Sequence, residues 1–215
     1  MAARLPDGAI VTLATTYGAA KTITGISNAS PGVASSNGHG FANGALLAVT
    51  SGWSNLNNRV VRVAGQAADS FKLDEIDTSL TNLYPAGSGA GSVQEITGWT
   101  QISQIVGFTT SGGEQQFTNV SFLEQNFETQ LPTTISAMSI AIDIGDDPSL
   151  PGYQALKAAA DVRAIRALRM RLPDDSFILY QGYVSFNETP TLGKGQVMQV
   201  KATFSLLSRP VRYKA

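Results

Sequence analysis

The chain has 215 residues, enough for one sizeable domain or for a core domain with a small appended one, and only 14% of them are charged where roughly 25% is usual. With no cysteine, disulfide scaffolds and thiolate metal sites are excluded. The low charged content leaves little charge to solvate the surface, so copies of the chain or a partner are expected to cover it, and a net charge of −1 is not the positive balance that a nucleic-acid binder normally shows.

The N-terminal stretch MAARLPDGAIVTLA has a proline and an aspartate ahead of a short apolar run, so it does not read as a signal peptide, and a cytoplasmic origin is expected. No window approaches 18 consecutive apolar residues, which gives no candidate membrane span. A turn at Pro6, Asp7 and Gly8 opens a first strand over residues 9–17.

Residues 23–85 read as a distinct small β module. Thr24, Ile26 and Asn28 begin it and a Gly- and Asn-rich connection follows. A strand at residues 45–50 leads into a loop at 51–58 anchored by Trp53 and Leu56, with further strands at 59–64 and 69–73. The flexible AGSGAGS of residues 86–92 closes the unit. The main domain then comprises residues 1–22 and 86–215 with the module inserted, or the module is an ordinary N-terminal subdomain. His39 is the single histidine, and a metal site needs three or four ligands, so it is expected to be structural.

Residues 93–106 read as one strand or two, and Gly112-Gly113 suits a turn with positive φ. Residues 116–124 alternate with apolar area on both faces, residues 125–132 read as an arching loop, and residues 133–144 read as the most regular strand, with Met138 in the core. Asp143, Asp146 and Asp147 lack the ligand alternation of a calcium loop and read as a loop cap or as first-turn acids of the coming helix. Gly89-Ala90-Gly91 and Gly193-Lys194-Gly195 lack a dinucleotide-binding context, and no Ser, His and acid set assembles around His39, so neither an enzyme nor a cofactor is expected.

The helix signal is confined to residues 153–160, after Pro151, with Tyr153, Leu156 and Ala160 on one face. A hairpin follows: a strand from Ala164 with arginines on one face and apolar residues on the other, a turn at residues 173–176, and a returning strand at 177–185. Residues 188–196 read as a loop, 197–207 as a long strand and 208–215 as a basic tail. Charge divides along the chain. Residues 91–150 hold seven acids and no basic residue, whereas residues 151–215 hold ten basic residues against four acids.

The order and spacing of the helix YQALKAAAD, the basic strand RALRMRLPDDS, the element Tyr180-Gln181-Gly182-Tyr183-Val184-Ser185 and the closing strand VKATFSLLSRPV resemble the tail tube domain of lambda-like siphophage tail proteins. The run GHGFANGALLAVTSGWSNLNNRVVRVAGQAADSFKL is similar to a small β module of phage tail and baseplate proteins. The resemblance implies a β-sandwich or half-barrel flanked by one helix. It also implies six copies per ring and rings stacked into a hollow virion tube through which DNA passes, with terminator, baseplate or tape measure proteins as partners. In that reading an acidic wall repels phosphate, with Glu95, Glu114, Glu124, Glu128 and Asp143 as candidates. Arg163, Arg166, Arg169, Arg171, Arg209 and Arg212 are the candidates for contacts between subunits. A baseplate or receptor-binding module is the alternative.

Overall fold

A computed structural model describes residues 7–214; the opening of the first turn, at Pro6, and the last residue of the basic tail lie outside them. In chain order the elements are β1 (Ile10–Tyr17), β2 (Lys21–Ile23), β3 (Gly25–Ile26), β4 (Val33–Ser35), β5 (Leu46–Ser51), β6 (Arg59–Ala64), β7 (Ser70–Leu73), β8 (Gly91–Ile102), β9 (Ile105–Ser111), β10 (Gln115–Val120), β11 (Thr129–Ile135) and β12 (Ser139–Gly145). The helix α1 (Pro151–Val162) precedes β13 (Ile165–Arg171), β14 (Phe177–Thr191), β15 (Gln199–Leu206) and β16 (Val211–Tyr213). Among the described residues, fourteen strands join one curled, half-barrel sheet along the order β3-β4-β7-β6-β5-β8-β1-β13-β14-β15-β12-β9, with β2 on β8 and β16 on β14. β10 and β11 pair only with each other.

The middle of the sheet is buried on both faces, and neighbouring residues divide between two cores. On β1 Leu13 faces one cluster and Ala14 the other; Leu168 and Ala167 on β13, and Tyr180 and Leu179 on β14, divide likewise. One cluster holds Trp53, Leu47 and Phe71 of the small β module together with Val211 and Tyr213, so module and C-terminal strand share buried contacts. The other holds Tyr153, Leu156 and Ala159 of α1, which packs against β14, β8 and β1, together with Ile140, Ile142, Ile144 and Phe204.

α1 begins where Pro151 can take a first-turn position without losing a hydrogen bond, and Arg163 ends it in the left-handed region, at φ 51°, donating its N–H to the Ala160 carbonyl. The first turn holds no acid, which corrects the first-turn reading of the DIGDD acids. Asp147 instead accepts from the Ser149 amide at 3.0 Å and hydroxyl at 2.6 Å, and these bonds hold its carboxyl below the usual range. Gly182, in the Tyr-Gln-Gly-Tyr element, lies so close to β15 that a Cβ there would stand 2.1 Å from the Ser205 carbonyl oxygen.

Several boundaries differ from expectation. The strand expected over residues 133–144 is two strands, β11 and β12, interrupted at residues 136–138. Met138 is half-buried and lines a surface cleft, so it is not a core residue. Residues 129–132 of the expected arch belong to β11, and residues 188–191 of the expected loop extend β14. The arginines of β13 do not share an exposed face, because both faces of that strand are covered by the two clusters.

Candidate assembly surfaces

Four strands, β14-β15-β12-β9, bury one face and leave the other open. Along β14, β15 and β12 the alternate residues Val184, Val200, Ala202, Phe204, Ile140, Ile142 and Ile144 enter the core that includes α1, and Ile105 and Phe108 of β9 pack against it partly buried. Their neighbours form an open grid. One cross-strand row is Ser185, Thr203, Ala141 and Thr109, and the next is Tyr183, Ser205, Ser139 and Ser111. A third row is Asn187, Lys201, Asp143 and Gly107. The hydroxyls of Ser111 and Ser139 lie 2.8 Å apart across it. Half of the grid is serine or threonine, and its two charges, Asp143 and Lys201, face each other across β12 and β15.

Both lateral edges of this four-stranded sheet are unpaired among the described residues. β9 has a partner only on its β12 side. On β14 the pairing to β13 stops at Tyr183 with Ile165, so residues 184–191 are paired on the β15 side alone.

At one end of the same sheet the chain leaves β9 at Gly112 and Gly113, both at positive φ (78° and 85°), and returns at residues 136–138. The ribbon β10–β11 between them buries none of its residues. Phe122 (56% exposed), Leu123 (107%) and Phe127 (68%) crowd its tip, with Phe117 and Leu131 exposed on the strands. The opposite end of the sheet carries a second open apolar group, Leu192, Val197 and Met198, in the connection from β14 to β15.

The five acids expected along a conduit fall in three places. Asp143 stands on the hydroxyl grid, Glu95 on β8 opposite Leu47 of β5, and Glu114, Glu124 and Glu128 on the ribbon segment, where Glu128 accepts from the Asn119 amide at 3.0 Å.

The arginines expected between subunits divide as well. Arg166 lies over the Tyr17 ring at 5.6 Å and Arg169 over Trp99 at 4.6 Å, with Arg169 Nε donating to Thr12 Oγ1 at 3.3 Å. Burial, and secondarily Arg171, lowers the Arg169 pKa. Arg171 pairs with Asp175 at 2.6 Å in an exposed i,i+4 contact. Arg163, Arg209 and Arg212 are exposed and make no ion pair among the described residues. Arg212 acts on Tyr180, whose hydroxyl burial pushes up while the nearby guanidinium pulls it down.

The signals missed in the sequence are polar contacts that tie the module to the C-terminus. The Tyr213 hydroxyl accepts the Arg62 amide at 2.8 Å and donates to the Asp74 carbonyl at 3.3 Å. Burial pushes it up to about 12. Arg62 pairs with Asp74 at 2.6 Å and lies 4.5 Å over the Tyr213 ring. His39, as expected, is structural: Nε2 donates to the Ala67 and Ser70 carbonyls at 2.8 and 3.2 Å, Nδ1 accepts the Phe41 amide at 3.0 Å, and the ring packs on Phe41 and Phe71.

Among the described residues no three His, Cys, Asp or Glu side chains gather to hold a metal, and no helix is long and apolar enough to cross a membrane. What the geometry presents is a set of open surfaces, two free sheet edges, a projecting ribbon and a short-chain grid, which defines a structural β protein. The phage tail tube protein family model matches residues 51–215, and the chain belongs to that family. No curated protein matches it. The match begins within the small β module, at the last residue of β5, one hundred residues before the helix and hairpin that carry the resemblance in sequence.

Proposed function

We propose that copies of this chain join edge to edge into closed hexameric rings, and that stacked rings form the virion tube through which DNA leaves the particle. The supporting observation is the four-stranded sheet with one buried face, one open hydroxyl face and two free edges. Pairing β9 of one copy with residues 184–191 of the next satisfies both edges and continues the grid around a circle. The helix-covered face then points away from the axis.

A wall of Ser, Thr and Asn gives phosphates no cluster of cations to bind. It also presents only Tyr183 as a stacking surface for bases. Asp143 and Lys201 add charges of opposite sign. The wall is thus non-adhesive chiefly because it is neutral and short-chained. The ends of the sheet, with the ribbon at one and the residue 192–198 connection at the other, face the rings above and below. No step of this function needs a catalytic group or cofactor.

Sedimentation and negative-stain imaging of the concentrated, purified chain test the reading. Rings or hollow filaments are the expected result; a monomer at every concentration, or a compact trimer, overturns it.

A further inference from the structure

An asparagine followed by glycine is chemically labile, because the glycine amide nitrogen can close on the asparagine side-chain carbonyl with no Cβ in its way. Two such steps occur in the small β module, Asn37-Gly38 and Asn43-Gly44, and both are exposed. Their surroundings differ. Asn43 is held at both reacting groups: its Oδ1 accepts the Gln66 amide at 3.0 Å, and the Gly44 N–H donates to the Val63 carbonyl at 2.8 Å. A peptide carbonyl can hold that proton but cannot take it. The Asn37 side chain makes no hydrogen bond among the described residues, and the Gly38 N–H donates to a carboxylate, Asp69 Oδ1, at 2.9 Å. The Ser36 N–H donates to the Asp69 carbonyl at 2.9 Å, so the turn is pinned to Asp69 on both sides of Asn37. Gly38 has a φ of 55°, and a Cβ placed on it would meet nothing within 4 Å, so the space on that side is open.

We infer that Asn37 is a site of self-modification, in which the Gly38 amide nitrogen attacks Asn37 Cγ while the Asp69 carboxylate takes up the amide proton. The bond from Gly38 N to Asn37 Cγ forms, the Cγ–Nδ2 bond breaks, and the proton held by Asp69 leaves with Nδ2 as ammonia. Water then opens the cyclic imide. Opening at Cγ gives aspartate, and opening at the Asn37 main-chain carbonyl gives isoaspartate, with one more methylene in the backbone. Either product adds a negative charge beside Asp69. The turn runs directly into His39, whose Nε2 donates to the Ala67 and Ser70 carbonyls and whose ring packs on Phe41 and Phe71. Isoaspartate therefore lengthens the backbone between the Asp69 anchor and the histidine that fastens the module's aromatic cluster. The module ages from this point, while the core around α1 does not. This chemistry does not depend on the tube reading.

Peptide mass mapping of the folded chain, stored in mildly alkaline buffer and fragmented to place each site, tests the assignment. Conversion of amide to acid is expected at residue 37, at least about tenfold faster than at residue 43. In urea, where both turns are lost, the two sites should convert at similar rates. Equal rates in the folded chain, or faster conversion at residue 43, overturn the proposal. Asp69→Asn keeps an oxygen to accept the Gly38 N–H and removes the base, so it should slow residue 37 about tenfold or more. Unchanged or faster conversion in that variant means that the bond does not assist the reaction, and overturns the role of Asp69. Stored wild type should also split into acidic species on ion exchange that Asn37→Gln lacks, and these should unfold at a lower temperature than the parent. Acidic species as stable as the parent contradict the ageing of the module.

Discussion

The hairpin β13–β14 and the hairpin β10–β11 are both antiparallel pairs that carry apolar side chains, and they meet opposite fates. β13–β14 is covered on both sides, Ala167 and Leu179 by the module and Leu168 and Tyr180 by the helix layer. β10–β11 is covered on neither, and it is also the poorer in apolar side chains, with Phe117, Val120, Leu131 and Ile135 spread over its two strands. Antiparallel pairing therefore makes a hairpin, but the rest of the chain decides whether the hairpin acquires a core. Where the chain supplies no cover, a second copy can.

This contrast is sharpest at single side chains. Phe204→Ala, inside the helix-covered cluster, should cost about 3–5 kcal/mol in urea unfolding of the monomer. Leu123→Ser, at the ribbon tip, should change monomer stability by no more than about 0.5 kcal/mol and yet remove sedimentable polymer. A ribbon variant that unfolds as readily as the core variant would erase the distinction.

A smaller effect probes what joins the covered hairpin to the module. Tyr213→Phe leaves the Arg62 amide without its acceptor and should cost about 1–3 kcal/mol. The pH dependence carries its own sign. The folded Tyr213 hydroxyl titrates at about 12, above the ordinary 10.0, so its contribution is complete below pH 10 and is lost as pH climbs towards 12. The stability gap between wild type and Tyr213→Phe should thus narrow across that interval, by about 1–3 kcal/mol in denaturant titrations. A gap that widens would reverse the assignment. Smallest of all, Arg171→Gln breaks only the exposed pair with Asp175 and should move stability by less than about 1 kcal/mol.

Much of the covered region is legible in the sequence. The period of the helix, the turn after Leu172 and the Val-rich strand β6 each mark themselves locally, because their residues respond to neighbours a few positions away. The uncovered region is less so. The break between β11 and β12 leaves no trace in the alternation, since Ile135, Ala137 and Ser139 keep the same parity across it. What interrupts the strand is distant: Ser136 exchanges backbone hydrogen bonds with Gly113 and Glu114, and Met138 accepts from Leu206.

Charge was legible in sign and not in place. The count of acids over residues 91–150 is evident, but three of the five candidates leave the sheet with the ribbon, and only Asp143 stands on the open grid. The surroundings of the β13 arginines are hidden in the sequence for a related reason. Arg166 and Arg169 read as groups awaiting a partner, and their aromatic partners, Tyr17 and Trp99, lie far away in sequence. The hydroxyl grid itself, built from β9, β12, β14 and β15, becomes visible only once register sets those residues side by side.

The orientation of that grid is the claim on which the account depends, and a helical reconstruction of the assembled tube measures it. The account predicts Ser139, Thr203 and Ser185 facing the axis with α1 outside. A bore lined by α1, or by the arginines of β13, would contradict it.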